Sequence, residues 1–532
     1  MFIAACISAS FIEQDIEIII KTGLSIIPSD CEYYRMSQEV IQFYHEHPED
    51  WRRCFKFVKD NFGYDRYPGA CHIIPNSAVI ILSLLYSDGD FSKAINICIM
   101  CGWDTDCNVA NVGTIMGVRN GLKGIDYKKW RKPINDFLAC SRVIGSLNIM
   151  DIPWAAAYIA NLAYKIAEEE PPAQWKTILE EKAAKFHFEF PGSTHSFRIC
   201  SDIEGSLEYN LCHTTEEVHS GTGALKVVAK PLMGGKELRI FHKTYYRPKD
   251  FHDSRYDPSF SPILYPGQMV TGYVMVPKET TFKVLACLYV KDGNSQKYIK
   301  GKDIQLIPGV WEKLSFGIPH IDSACLEEAG VLITPMNGWH ATLVAYLDDF
   351  DFSGRPDYNI EFSKERMEVW NTLHQEVSQF TYLKGIWTLE DGLLSGSCCD
   401  FGEAYTGGYD WKNYCFQATL IPQTGEYHNI NFRVEGAIRS YAVGLAPQNK
   451  LAILKNKNGY RTLKEIDFPW ENGKEYTLKV EVKGPKISII HDGQVLMEYI
   501  DQDKPYLYGQ IGASVRQGSH CHYKSFMIHG IE

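Results

Sequence analysis

Cys101-Gly102-Trp103-Asp104-Thr105-Asp106-Cys107-Asn108, continued by Ala110, Gly113, Gly117 and Gly121, decides how the first part of this chain is read. Two carboxylates sit two residues apart where a helix should begin. Asp and Asn at a helix start cap free N–H groups, and glycines four residues apart mark a face that a neighbouring backbone can approach. The apolar run Ala94 to Met100 feeds into this stretch, so the acids stand at the end of a buried segment rather than on a solvated face. Mg²⁺ and Mn²⁺ take oxygen ligands in fixed geometry, which makes Asp104 and Asp106 candidate metal ligands. Simple helix capping is the competing reading.

The string CGWDTDCNVANVGTIMGVRNG resembles the C-terminal signature of the ADP-ribosylglycohydrolase family. The resemblance implies an all-helical fold in which a Gly-x-Asp-x-Asp-Thr segment and a separate, earlier acidic segment bind a pair of divalent cations, Mg²⁺ or Mn²⁺. Asp104 and Asp106 fall on the metal-binding aspartates, and Cys107 falls where the family usually has Thr. A thiol is a softer ligand than a hydroxyl and suits Mg²⁺ poorly. The implied chemistry is hydrolysis of the glycosidic bond at the anomeric carbon of ADP-ribose, with the catalytic residue itself unassigned. Trp103, Asn108, His72, Asn76 and Arg66 are the candidate substrate contacts. The resemblance covers the first third of the chain and corresponds to the C-terminal half of the family's domain. A counterpart of the earlier acidic segment is not found, so a fragment or a decayed domain is expected.

Length bounds the rest: 532 residues suggest about three domains. With 45% of residues apolar and 22% charged, each has enough material for a core. A formal charge of −11 and a pI near 5.9 argue against a nucleic-acid partner. No run reaches membrane-spanning length, and no membrane partner is expected. The apolar N-terminus lacks a basic leader and runs into Glu13, Asp15 and Glu17, so a cytoplasmic protein is expected, with an extracellular one still open should the true start lie upstream. The sixteen cysteines are scattered among apolar neighbours and read as mostly reduced, buried thiols, the Cys98-x-x-Cys101 pair included. Oligomeric state is not legible.

The fold class expected is multidomain: an all-α N-terminal domain over residues 1–184, then two antiparallel β-sandwiches over 185–356 and 357–532. Helical periodicity appears at Phe2 to Phe11, Gln14 to Thr22, Cys31 to Tyr44, Glu49 to Asn61, Ser77 to Tyr86 and, after Asp151-Ile152-Pro153, Trp154 to Ile166, with a last helix at Gln174 to Lys185. From Phe186 the pattern alternates apolar and polar residues, beginning with Phe186-His187-Phe188-Glu189-Phe190. The turn Ser220 to Gly223 and the closing strand around Tyr346 to Phe352 resemble galactose-binding-like jelly rolls found as carbohydrate-binding modules. That likeness implies a structural Ca²⁺, for which Glu189 and Asp348 are candidates. Gly473 to Gln494, with an Asp-Gly hairpin at Asp492-Gly493, resembles a concanavalin or laminin-G-like sandwich. Trp339, Tyr409 and Trp411 are candidate carbohydrate contacts. A Gly-x-Ser-x-Gly elbow and a phosphate-binding glycine loop are missing, which sets aside serine hydrolases and P-loop enzymes. The chain therefore reads as a metal-dependent glycoside hydrolase acting on an ADP-ribosyl or other glycosidic bond, with appended carbohydrate-binding sandwiches. The alternative is a catalytically inactive or truncated carbohydrate-binding or interaction protein.

Overall fold

Residues 73–85, IIPNSAVIILSLL, are apolar on every side, and a helix of that composition has to be surrounded by protein. In the computed structural model, which describes residues 1–69, 71–180, 182–201, 208–230, 232–251 and 258–532, eleven of these thirteen residues are buried. The helix begins at Ile73, four residues before the expected start at Ser77. His72 Nδ1 accepts the Ile74 N–H, and Pro75 lies in the first turn, where its missing donor is harmless.

This helix is α5 of a unit spanning Met1–Ile134. Before it come α1 (Phe2–Ser10), α2 (Ile16–Leu24), α3 (Glu32–Glu46) and α4 (Trp51–Phe62); after it come α6 (Phe91–Cys101) and α7 (Thr105–Asn120). Helices α3, α4, α6 and α7 pack around α5. The outer helices are amphipathic: α4 buries only Cys54, Val58 and Phe62, one residue per turn. Gly113 on α7 receives the Ile95 side chain of α6, so the small residue admits a side chain rather than a backbone. The unit closes with a π-helical turn, Tyr127–Arg131, running into the short α8 (Lys132–Ile134).

Asn135–Glu532 form the second unit. It opens with a small hairpin pairing Phe137–Ala139 with Ile149–Asp151, followed by α9 (Ile152–Ala167) and α10 (Ala173–Leu179). Asp136 Oδ2 accepts Ser193 Oγ at 2.7 Å and the Thr194 N–H at 2.8 Å, Asn148 Nδ2 donates to Ser259 O at 2.6 Å, and the Tyr409 N–H donates to Ser146 Oγ at 3.0 Å. Residues 135–180, read from sequence with the helical domain, thus lie in the same unit as the sandwiches.

All strand pairs are antiparallel. The first sandwich faces the sheet 298–300, 284–292, 326–335, 238–243, 198–201 against the sheet 312–317, 269–275, 343–353, 224–230, 208–214. Its core holds Phe188, Leu225, Ile240, Val290, Val331 and Phe350. The alternating Phe186–Phe190 stretch is not a strand. It makes one isolated bridge, Phe186 to Phe350, because Phe188 takes a left-handed φ of 54° that breaks the extended run.

The second sandwich pairs 386–390, 393–397, 520–530, 414–424, 476–483, 486–491 and 494–500 in one sheet, with 357–361 also on 520–530. The other sheet runs 381–383, 401–406, 510–516, 428–436, 439–446, 450–457, 460–467. The two sandwiches are joined through buried Arg247, which pairs with Glu327 and reaches Glu368. All sixteen cysteines are free thiols; burial pushes Cys98 up to about 11 and raises Cys101 further. Among the described residues no helix is long and apolar enough to cross a membrane.

Candidate functional site

Helix α6 stops at Gly102, whose φ of 72° is the left-handed turn that glycine adopts without strain. Two residues on, Asp104 also takes a left-handed conformation, φ 42° and ψ 55°, and α7 starts at once. This double reversal sets Asp104, Asp106 and Cys107 around one point, where one ligand atom from each lies within 4.8 Å of the others.

The side chain of Asp104 makes no capping bond to α7. Asp15, Asp50, Asp90 and Asp126 precede helical segments in the same unit, and each accepts a backbone N–H from the first turn. Asp104 instead accepts Asn76 Nδ2 from α5, and Asn76 Oδ1 accepts the Tyr64 hydroxyl. Burial is the main cause that pushes Tyr64 up to about 12, so it stays a donor. A left-handed Asp that gives up its cap is the kind of local strain found where geometry serves a site.

Trp103 packs its ring against Phe55 at 5.0 Å and Tyr64 at 4.8 Å. Asn108 is buried and donates Nδ2 to Trp103 O at 2.8 Å, which fixes the turn. Cys107 is exposed, and the Asp104 carboxylate beside it raises its pKa, which keeps it a thiol. The donor set is therefore two carboxylates and a protonated sulfur. Two carboxylates suffice for Mg²⁺ or Mn²⁺, which keep several waters, so Asp104 and Asp106 fit such a cation while Cys107 adds little.

Asn76, Cys107 and Asn108 line a cleft of about 550 Å³, a usual size for a small-molecule site. His72 lines it too, stacked on Tyr67 at 4.6 Å. Arg66 is exposed and turns its guanidinium to the Asp60 carbonyl, away from this lining. Sequence reasoning missed Tyr64, Tyr33 and Asn111. Asn111 stands one helical turn beyond Cys107 and was findable by that spacing. Tyr64 and Tyr33 come from distant elements and carried no signal.

Residues 1–170 match the model of the ADP-ribosylglycohydrolase family. The match covers about a third of the chain. Among curated proteins, none matches the chain. Solved structures similar to it include a carbohydrate-binding module, CBM66 from Bacillus subtilis, 18% identical, covering 27% of this chain and 94% of its own, with a TM-score of 0.25. The CBM22-1–CBM22-2 tandem domain of Paenibacillus barcinonensis Xyn10C is 10% identical and covers 66% of this chain and 98% of its own at a TM-score of 0.22. A Bacillus subtilis protein with a galectin-like fold is 13% identical, covering 28% and 89% at a TM-score of 0.25. The ADP-ribosylglycohydrolase-family match extends past Ile134 into the segment that carries α9.

In the second unit, Trp411 is mostly buried, and its remaining edge is part of the lining of a groove of about 820 Å³. The residue is 6% exposed and packs against Tyr265 at 4.9 Å, because Gly407 and Gly408 leave room for its indole. Tyr409 is half-buried and meets Trp154 of α9 edge-on. Together with Tyr158, Asp410, Asn413, Glu435 and Tyr508 it lines the same groove. Trp339 is 69% exposed on a two-residue strand paired with Met233 and lines neither this groove nor the cavities beside it.

The expected Ca²⁺ ligands are spent elsewhere. Both oxygens of Glu189 accept the Thr222 N–H, and Asp348 accepts the N–H groups of His219, Ser220 and Asp349. Burial beside Asp349 pushes Asp348 up to about 7, which weakens it further as a cation ligand. Backbone donors close this turn where a cation was expected, so these residues do not fit one.

Proposed function

We propose that the chain is a hydrolase of glycosidic bonds that depends on Mg²⁺ or Mn²⁺, with the groove of the second unit holding the carbohydrate part of its substrate. The observation that carries this reading is Asp104, withheld from capping α7 and gathered with Asp106 around Cys107, which itself lines the 550 Å³ cleft. Asp104 and Asp106 would hold the cation. A bound divalent cation of this kind orients hydroxyls and lowers the pKa of a coordinated water. The chain's own residues do the rest. Tyr64 and Asn76 fix the rotamer of Asp104, and Asn111, whose Nδ2 donates to Cys107 O, is part of the polar lining that would meet a sugar-like ligand. The substrate favoured is a glycoside or glycan-linked molecule rather than an ADP-ribosylated protein, because the aromatic groove lined by Tyr158, Tyr409 and Tyr508 suits sugar rings.

The test is calorimetry with Mn²⁺ on the full chain and on Asp104→Ala, alongside hydrolysis of aryl glycosides and of ADP-ribosylated peptide. Loss of Mn²⁺ binding and of hydrolysis in the variant supports the reading. Equal titrations of the two proteins remove it. A second reading, a carbohydrate-binding protein without catalysis, draws on Cys107, a protonated thiol at a position where an oxygen ligand would serve better. It predicts glycan retention with no hydrolysis under any cation.

A further inference from the structure

The strand His520–Gly530 turns Cys521 and Tyr523 into the core of the second sandwich, both fully buried. Alternation then puts His520 and His522 together on the opposite face of the sheet. That face is flanked by Ser395 and Ser397 on one neighbouring strand and by Ile421 and Thr424 on the other. One strand further out, Glu390 ends the edge strand Ile386–Glu390 and directs its carboxylate back over Ser395 toward the histidines.

One ligand atom from each of Glu390, His520 and His522 lies within 4.8 Å of the others. His522 Nε2 is 3.4 Å from Glu390 Oε2, the imidazole rings are 4.8 Å apart and nearly perpendicular, and Ser395 Oγ lies 2.9 Å from His520 Nε2, orienting that ring. His522 Nε2 is buried and has no hydrogen-bond partner. A buried ring nitrogen aimed at a carboxylate without bonding it is a polar group lacking the partner its burial demands. Two donors bound at 2.0–2.2 Å to a tetrahedral ion lie about 3.4 Å apart, the spacing already present between Glu390 and His522.

We propose that Glu390, His520 and His522 form a binding site for a borderline transition-metal dication such as Zn²⁺ or Ni²⁺, separate from the Asp104 and Asp106 grouping. Two imidazoles and one carboxylate select such ions over Mg²⁺ and Ca²⁺, which prefer oxygen alone. Two of the ligands sit on one rigid strand, so their spacing is set by the sheet rather than by a loop. The third comes from the sheet's edge, and the bound ion ties the edge strand 386–390 to the strand 520–530 across 393–397. Three protein ligands leave a fourth tetrahedral position for water or for a hydroxyl or anionic ligand.

Ni²⁺ is the probe of choice, since imidazole suits it while the sixteen free thiols compete more strongly for Zn²⁺. The full chain is titrated calorimetrically as wild type, Asp104→Ala, His522→Ala and Glu390→Gln. Wild type and Asp104→Ala are expected to bind one equivalent alike, and His522→Ala and Glu390→Gln to bind more than about tenfold more weakly. Unfolding in chelator checks that each variant folds. Wild-type affinity in Glu390→Gln, an exposed edge position, overturns the proposal whether or not His522→Ala folds, and so does a wild type that binds no Ni²⁺.

Discussion

His242→Phe probes the electrostatics of the first sandwich at a buried histidine. His242 lies on the strand Leu238–Lys243, 2% exposed, with its ring 4.6 Å from Phe186 and 5.9 Å from Phe197, and neither ring nitrogen has a hydrogen-bond partner. Burial pushes its pKa from the ordinary 6.5 down to about 3; Lys185, His195 and Arg198 act in the same direction and Asp151 opposes them. The folded state therefore keeps the ring neutral, while the unfolded chain takes up a proton below pH 6.5. Stability from this residue is fully present above pH 6.5 and is lost as the pH falls toward 3, at about 1.4 kcal/mol per unit. Between pH 7.5 and pH 5.0 that is a loss of about 2 kcal/mol from His242 alone. Phenylalanine removes the titration and replaces two unpaired nitrogens with apolar ring atoms of similar shape, so His242→Phe should match or exceed wild-type stability at pH 7.5. Urea unfolding at both pH values reads the difference. Wild type should lose about 2 kcal/mol more than His242→Phe on going to pH 5.0, since every other titrating group is common to the two proteins. The same pH-induced loss in both proteins would refute the reasoning.

Arg247→Met should destabilise the second unit by about 3 kcal/mol, because it removes the buried cation that Glu327 and Glu368 share and leaves them only the less buried Lys249, Lys291 and Arg366; a urea midpoint near that of wild type would contradict this. Trp411→Ala should lower stability by a similar 3–5 kcal/mol, as large-to-small core substitutions do, and a normal unfolding midpoint would contradict its core role. Gly407→Ala should be costly as well, since φ is 99° and the Trp411 ring lies 2.6 Å from the added methyl position; a melting curve checks it. Tyr508→Ala, at a half-exposed position on the 820 Å³ groove, should leave the melting temperature unchanged and weaken retention on immobilised glycans, and unchanged retention would count against the groove.

Most strands of the second sandwich were legible because one face is buried and the other is not. The stretch Gly473 to Gln494 holds the strands Tyr476–Lys483, with burial alternating along it, and Lys486–His491, and the turn at Asp492-Gly493 leads into Gln494–Ile500 as the hairpin reading expects. Legibility failed where a single residue's backbone decides. Phe186 to Phe190 has the same alternation, yet Phe188 adopts a left-handed φ that no pattern of apolar residues announces. It failed again where aromatic composition stood in for exposure: Gly407-Gly408-Tyr409-Asp410-Trp411 reads as an open turn, but its glycines make space for the indole rather than presenting it. The groove beside it was out of reach, because Tyr158 and Tyr508 come from segments hundreds of residues apart and only the folded chain brings them together.

The candidate site shows how capping and ligation are told apart. From sequence, Asp104 is one of several aspartates at helix starts, and capping explains any of them equally well. The structure separates them by where the carboxylate goes: four of its counterparts in the helical unit bond the first helical turn, and Asp104 bonds Asn76. A lost N-cap forgoes about 1 kcal/mol, and a non-glycine residue in left-handed geometry adds a cost of similar size. A purely structural turn would recover the first of these by rotating the side chain onto the helix. Tyr64 and Asn76 instead hold the carboxylate off it, beside Asp106, so the arrangement is maintained by a second set of residues whose evident effect is to keep two carboxylates together with Cys107. Asn76→Ala therefore offers a sharper test than deleting the acid: it should let Asp104 turn back to cap α7, raising the melting temperature or leaving it unchanged while weakening Mn²⁺ binding. A variant that loses stability and keeps its Mn²⁺ affinity would assign Asn76 and Asp104 to the turn alone.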